Sequence, residues 1–368
     1  MDKDLIYKIA INMIPNVGPI AAKQLISYCG SPEAVFKEPI KVLEKIPSIG
    51  RKVAQNIVKQ EVLSAAEFEI RFIEQNGVKP VYFQDESYPF RLKQCSDSPI
   101  LLYQQGVCDL NAKKVVSIVG TRSSTDYGED WTKEFVQELA KHNVLLVSGL
   151  AYGIDICAHK SALEFGIPTI GVLGHGLDRI YPAKHSEFAK EMIHHGALVS
   201  EFTSGNKPSR ENFPKRNRIV AGMSDAIIVV EARKRGGALI TADLGVQYNR
   251  DVFALPGNFR QQSSEGCNHL IKSTKAHLIE TISDLEYIMN WNEDVNGGTF
   301  EDSFQTELFV QLSNEEETVL NTLLIKPQPI DVIALKVKMP ISTLIQVLLQ
   351  LELKGLAKNL PGNQYKRQ

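Results

Sequence analysis

Val115-Val116-Ser117-Ile118-Val119-Gly120-Thr121-Arg122 is the stretch that decides the fold. Of its first five residues, four are β-branched and apolar and one is a small serine, so no polar face recurs at a period of two. A strand of this kind is covered on both faces, as in a parallel sheet layered between helices. Gly120 ends the run, and a helical pattern follows to about His142. The unit then recurs as VLLVS (144–148) with a helix from Gly153, TIGVL (169–173), ALVSEF (197–202), AIIVVEA (226–232) and VFALPG (252–257). Each run feeds a helix, and AHLIE (276–280) is a candidate last strand. The alternation predicts an α/β domain: a Rossmann-like parallel sheet with helices on both faces.

In an open parallel sheet the loops after the strands gather on one rim, where ligands bind. Here those loops begin at Gly120-Thr121-Arg122, Ser148-Gly149, Gly174-His175-Gly176, Gly205, Glu231 and Pro256. The third continues through Tyr181 to Lys184, and the fifth carries Arg233-Lys234-Arg235-Gly236-Gly237. The fourth, GNKPSRENFPKRNR (205–218), sets Lys207, Arg210, Lys215, Arg216 and Arg218 against one acid, Glu211. Glycines admit a phosphate to backbone N–H groups, helix N-termini attract it, and arginine forks grip its oxygens. The rim therefore reads as a polyanion site. Phe213 lies inside the basic run, where it either stacks on an unpaired base between flanking cations or staples a helix start to the sheet.

Catalytic patterns are missing from the rim. The sequence has no Walker A pattern, no complete Gly-x-Gly-x-x-Gly after a strand and no Gly-x-Ser-x-Gly. Asp155 and His159 stand four apart on one helix, a spacing that suits a shared metal but more simply caps and packs the helix. The five cysteines are scattered and form no Cys-x-x-Cys, which fits a reducing cytosol better than a disulfide framework or a zinc site. No apolar stretch approaches the roughly 20 residues of a membrane span, and the opening residues do not read as a signal peptide. A net charge of −2 gives no sign of a nucleic-acid partner, so any such partner must be met by local charge on the rim.

The flanks are of a different kind. Residues 1–76 read as a helical domain containing a short repeat. Ile14-Pro15-Asn16-Val17-Gly18 leads into a helix to Ile26, and Ile46-Pro47-Ser48-Ile49-Gly50 into one to Val58. The pattern suits a helix-hairpin-helix (SAM-like) domain, whose turns either meet DNA phosphates or serve only packing. Residues 77–291 hold the sheet domain, and the acidic, glycine-containing stretch 292–313 reads as a linker. Residues 314–368 outline a winged helix: three helical segments, the last from Pro340 to about Lys354, then two short strands around Pro361-Gly362-Asn363. That last helix, ISTLIQVLLQLELK, is almost uncharged, whereas a groove-reading helix offers Arg, Lys, Asn or Gln. A role in protein contact or packing is favoured.

Several of these motifs, in this order, strongly resemble the DNA-processing protein A (DprA/Smf) family over about Pro80 to Thr281. The resemblance rests on Ile118-Val119-Gly120-Thr121-Arg122, Ser148-Gly149-Leu150-Ala151-Tyr152-Gly153-Ile154-Asp155, Phe213-Pro214-Lys215-Arg216-Asn217-Arg218-Ile219-Val220, Leu239-Ile240-Thr241-Ala242 and Val252-Phe253-Ala254-Leu255-Pro256-Gly257. The chain departs from the family where Gly236-Gly237-Ala238 replaces Ser-Gly-Ser and where Thr274-Lys275-Ala276 follows Asn268-His269-Leu270-Ile271. What the resemblance implies is a dimer that binds single-stranded DNA, protects it during natural transformation and helps load the RecA recombinase. On that reading Arg122 holds a phosphate, Lys215, Arg216 and Arg218 line the strand path, and Phe213 stacks on a base. Gly120, Thr121, Ser148, Gly149, Lys184 and Asn217 complete the expected contact set. No cofactor, no metal and no catalysis are implied.

Two other readings compete. The phosphoribohydrolase-like group shares this Rossmann-like fold but carries Pro-Gly-Gly-x-Gly-Thr-x-x-Glu, to which Arg235-Gly236-Gly237-Ala238-Leu239-Ile240-Thr241-Ala242-Asp243 is an incomplete match. A protein-interaction scaffold acting through the winged helix is the third, and it requires that the sheet domain alone bind no DNA.

Overall fold

Nine strands form one sheet: β1 (Lys79–Tyr82), β2 (Leu101–Gly106), β3 (Val115–Val119), β4 (Leu145–Ser148), β5 (Thr169–Leu173), β6 (Ala197–Ser200), β7 (Ala226–Val229), β8 (Asp251–Ala254) and β9 (His277–Leu278). The computed structural model describes residues 4–291, 313–323, 328–337, 339–354, 356–360 and 364–367. The strand order is β1-β2-β6-β5-β4-β3-β7-β8-β9, with every neighbouring pair from β6 to β9 parallel. The seven strands read from apolar runs are thus the parallel ones, including the short β9. β1 and β2 were not foreseen: they add an antiparallel extension beyond β6.

The decisive run behaves as its composition requires. Val115, Val116, Ser117 and Ile118 are fully buried, and successive residues face opposite layers. Val116 and Ile118 pack with Leu146, Ile228 and Phe253 under the helices Asp126–Leu139 and Ile154–Glu164. Val115 and Val119 pack with Val147, Ile227 and Val229 under Asn212–Met223 and Gly237–Gln247. The buried Ser117 hydroxyl reaches the Val220 carbonyl at 3.2 Å and the Ser224 hydroxyl, tying the strand to the helix that covers it.

The chain divides into two compact units, Met1–Asn296 and Gly297–Gln368. In the first, the six N-terminal helices (from Leu5–Met13 to Val62–Asn76) share a hydrophobic core with the antiparallel edge of the sheet. Ile9, Leu25, Ile57 and Ile70 lie in one cluster with Tyr82, Leu101, Tyr103 and Leu198. The repeated turns are alike: Val17 N–H donates to the Ile14 carbonyl and Ile49 N–H to the Ile46 carbonyl, each at 3.1 Å. The left-handed residue in each is Asn16 (φ 64°) or Ser48 (φ 68°), whereas Gly18 and Gly50 are extended N-caps with φ of −90° and −80°. Proline at the second turn position and positive φ at the third are features of a type II turn.

The second unit has helices Asn314–Thr322, Ile330–Val337 and Ile341–Leu353, with strands Ala357–Leu360 and Gln364–Arg367 paired antiparallel. The short strand Gln328–Pro329 adds to Gln364–Arg367 on its other side, and three helices with this three-stranded sheet make a winged helix. Its third helix turns Leu344, Val347, Leu348 and Leu351 into the core and leaves Ile341, Ile345 and Leu349 about half exposed. The expected linker at 292–313 and the turn Pro361-Gly362-Asn363 lie outside the described residues, apart from Ser313. Ser313 caps the first helix in a reciprocal capping box with Glu316.

Candidate nucleic-acid interface

The strand order reverses between β3 and β7, because the chain leaves β3 toward β4 and returns to its other side only at β7. At such a switch point the loops diverge and leave a crevice. Here it has a volume of about 330 Å³, lined by Gly120, Thr121, Arg122, Asp155, Arg216, Asn217, Arg233, Arg235, Gly236 and Gly237 among others. A shallower groove of about 590 Å³ joins it, lined by Arg122, Arg179, Tyr181, Lys207, Arg210 and Phe213. A small recess of about 100 Å³, walled by Leu150, Tyr152, His175, Tyr181, Arg122, Phe213 and Arg216, lies beside both. Arg122 and Phe213 line all three clefts, so they mark the centre of one continuous surface. Among the described residues lining it, Asp155 is the sole carboxylate.

The centre is assembled by backbone contacts between loops. Thr121 accepts Ile154 N–H at 3.2 Å, and Gly153 (φ 76°) brings its backbone so close that a Cβ there would stand 2.2 Å from the Thr121 carbonyl oxygen. Only glycine accommodates both the positive φ and that approach. The exposed Arg122 then lays its guanidinium over the Phe213 ring, 5.0 Å from the centroid. Phe213, half-buried at the start of its helix, has Tyr181 tilted against it at 6.2 Å. It is therefore a packing residue that also forms a wall of the clefts.

Below this surface lies a buried polar network. Arg216 is 6 % exposed, its guanidinium stands 4.0 Å from the Asp155 carboxylate, and its Nε finds no partner among the described residues. Burial pushes the Asp155 carboxyl upward, and the Arg216 charge works against that shift. A Cβ on Gly149 would stand 1.8 Å from Arg216 Nη1 and 2.3 Å from an Asp155 carboxylate oxygen, so any larger residue there displaces this pair. His159 uses both ring nitrogens inside the protein, on the Thr169 hydroxyl and the Gly149 carbonyl. Burial pulls its pKa down to about 4, so the ring is neutral at pH 7. Asp155 and His159 thus hold the β4 loop in place, and no cluster of three metal-ligating side chains occurs among the described residues.

The expected contact residues separate into two groups. Gly120, Thr121, Arg122, Phe213, Arg216 and Asn217 line the clefts; Lys184 and Lys215 are exposed beside them. Asn217, on the helix Asn212–Met223, donates from Nδ2 to the Gly237 carbonyl at 3.3 Å, tying that helix to the start of Gly237–Gln247. Ser148, Gly149 and Arg218 correct the expectation. Ser148 is fully buried and donates to the Ile118 carbonyl at 2.5 Å, joining β4 to β3. Gly149 is the buried seat of the Arg216 guanidinium. Arg218 faces away from the crevice, paired with Glu201 and donating to the Asp97 carbonyl at 2.5 Å. A residue on a helix alternates faces every two positions or so, and the basic run continues past the exposed first turn into the packed face. Arg179, Tyr181, Lys207, Arg210, Arg233 and Arg235 are cleft residues absent from the expected set. Their signal was in the basic loops; what was missing was which loops adjoin.

Fold and rim together define a Rossmann-like protein with a cation-rich surface at the switch point of its sheet. More particularly, the chain belongs to the DNA recombination-mediator protein A family: residues 79–290 match that family, and residues 310–363 match the DprA winged helix domain. Protein Smf of Synechocystis sp. is 32% identical, covering 98% of both chains. The structure of DNA processing protein A from Streptococcus pneumoniae superposes with a TM-score of 0.68 at 30% identity, covering 77% of this chain and 97% of that one. That of DNA processing protein A from Helicobacter pylori, which concerns that protein's single-stranded DNA binding mode, gives a TM-score of 0.53 at 30% identity over 58% and 96%. A role in DNA processing during recombination follows from this membership. Among the described residues, no single helix is long and apolar enough to cross a membrane.

Proposed function

We propose that this protein is a cytoplasmic single-stranded DNA-binding protein without catalytic activity, which acts as a homodimer, protects incoming DNA in natural transformation and helps load RecA. The observation that carries the DNA reading is the continuity of three clefts about one Arg122–Phe213 pair. A polycationic track alone binds any polyanion and favours duplex, which has the higher charge density. Preference for single strands requires unpaired bases to reach an aromatic face, and Phe213, with Tyr181 beside it, supplies one among cations. The Helicobacter pylori relative's single-stranded DNA binding supports the same reading.

In this reading Arg122, Lys184, Lys215 and the buried Arg216 meet phosphates, Gly120, Thr121 and Asn217 offer backbone and amide hydrogen bonds, and Phe213 stacks on a base. Ser148, Gly149 and Arg218 support the rim from beneath. A nucleotide-processing role is not favoured: Asp243, the nearest counterpart of a catalytic acid, is ion-paired with Lys275 at 2.8 Å, and Asp155 faces Arg216. Fluorescence anisotropy with labelled oligothymidylate and a duplex of equal length tests the proposal. Tighter binding of the single strand is expected; equal binding of both forms, or none, refutes it. RecA loading is checked by whether the protein shortens the lag of RecA filament growth on single strands, and the dimer by sedimentation.

A further inference from the structure

After β6 the chain turns through Thr203–Asn206 before Lys207 and Arg210 reach the groove. Gly205, Asn206, Lys207, Ser209 and Arg210 are exposed, so this segment has little apolar surface to anchor it. It is held instead by hydrogen bonds from two sides, the N-terminal helices on one and the loop after β5 on the other. Glu69, on helix Val62–Asn76 and only 3 % exposed, accepts Ser204 N–H at 2.9 Å on both carboxylate oxygens and the Ser204 hydroxyl at 2.5 Å. Asn12, on the first helix, donates from Nδ2 to the Glu201 carbonyl at 3.2 Å. From the opposite side Gly176 N–H donates to the Asn206 carbonyl at 3.1 Å.

Burying a carboxylate costs more than burying an apolar side chain of similar volume, unless its hydrogen bonds do something the apolar residue cannot. The Glu69 carboxylate bonds to Ser204, which lies 135 positions away in the sequence, and not to its own helix. We infer that Glu69 is a positioning residue for the strand path: by clamping Ser204 it fixes where Lys207 and Arg210 stand along the groove. The inference rests on reading that groove as the single-strand site. The helical N-terminal segment is then part of the DNA-binding machinery without touching DNA.

The test uses the full chain and oligothymidylate. Glu69→Ala raises Kd about fivefold at low salt and makes the log–log salt slope shallower by about 1.4, the value for two lost phosphate contacts on a single strand. In a Lys207→Ala/Arg210→Ala background the same substitution changes Kd less than about twofold, because the residues it positions are gone. Glu69→Gln keeps one carbonyl acceptor for Ser204 and recovers most of the affinity, which also covers the case in which the alanine variant folds poorly. Hydrogen exchange over residues 203–210 rises in Glu69→Ala while the sheet stays protected. An equal loss in both backgrounds, or an unchanged salt slope, overturns the inference, as does unchanged affinity despite faster exchange. If the parent chain does not bind oligothymidylate, it is the reading of the groove that fails, and the positioning role falls with it.

Discussion

Removing the Phe213 ring separates charge from stacking in one experiment. The ring lies beneath the Arg122 guanidinium at 5.0 Å and beside Tyr181, and it borders every cleft of the rim. Phe213→Ala removes one stacked base, which is worth about 1–3 kcal/mol, or roughly a five- to 150-fold rise in Kd for single strands. Duplex affinity hardly changes, since paired bases offer no face to the ring. Arg122→Ala removes a charge-assisted hydrogen bond worth about 1.5–3 kcal/mol. It also makes the log Kd against log salt slope shallower by about 0.7 for a single strand, whereas Phe213→Ala leaves that slope alone. Because the ring holds the guanidinium in place before DNA arrives, the two effects are not independent. The double variant loses less than the sum of the single losses by about 0.5–1 kcal/mol, the worth of an exposed cation–π contact. Anisotropy titrations at three or more salt concentrations, on single strand and duplex, give every term. Equal loss on both DNA forms after Phe213→Ala makes the residue purely structural, and strict additivity denies that the pair acts as a unit.

Truncation after Trp291 leaves single-strand affinity within about tenfold, or ~1.4 kcal/mol, because the third helix of the winged unit exposes Ile341, Ile345 and Leu349 rather than cations; a greater loss in anisotropy assigns that unit to DNA. Arg218→Ala destabilises the fold by about 3–5 kcal/mol, since it strands the Glu201 carboxylate, which is 11% exposed. Lys215→Glu, on the exposed side of the same helix, weakens binding with little change in melting temperature, and urea titrations with parallel anisotropy distinguish the two. His159 stays neutral when folded, with its pKa lowered to about 4 from 6.5, so the unfolded chain binds the extra proton first as pH falls. Stability is therefore full above pH 6.5 and declines toward pH 4, and this residue contributes about 3 kcal/mol of the decline. His159→Gln has lower stability at pH 7 but a flatter profile between pH 6.5 and 4; parallel profiles refute the assignment.

The sheet was legible because its chemistry is local. A run such as Val115–Val119 has nowhere to put a polar face, so burial on both sides follows from composition, and even the two-residue β9 could be placed. The same holds for the glycine-rich loop starts and for the outline of the winged helix. β1 and β2 escaped because an antiparallel edge needs no alternation with helices; β2 finds its place beside β6, about 100 residues away, and β1 pairs only with β2. Within the basic run 205–218 the sequence shows charge but not direction. Lys215 and Arg218 look alike as letters, yet helical rotation turns one to solvent and the other onto Glu201. Glu69 gave no signal, because one of three glutamates on an amphipathic helix reads as part of a solvated face until the fold brings Ser204 to it. Composition and periodicity fix what each segment must bury, since that is a property of neighbouring side chains. Which loops converge, which cations stay exposed, and which acid holds Ser204 depend on contacts between distant segments, and these exist only once the sheet has closed its order around β3.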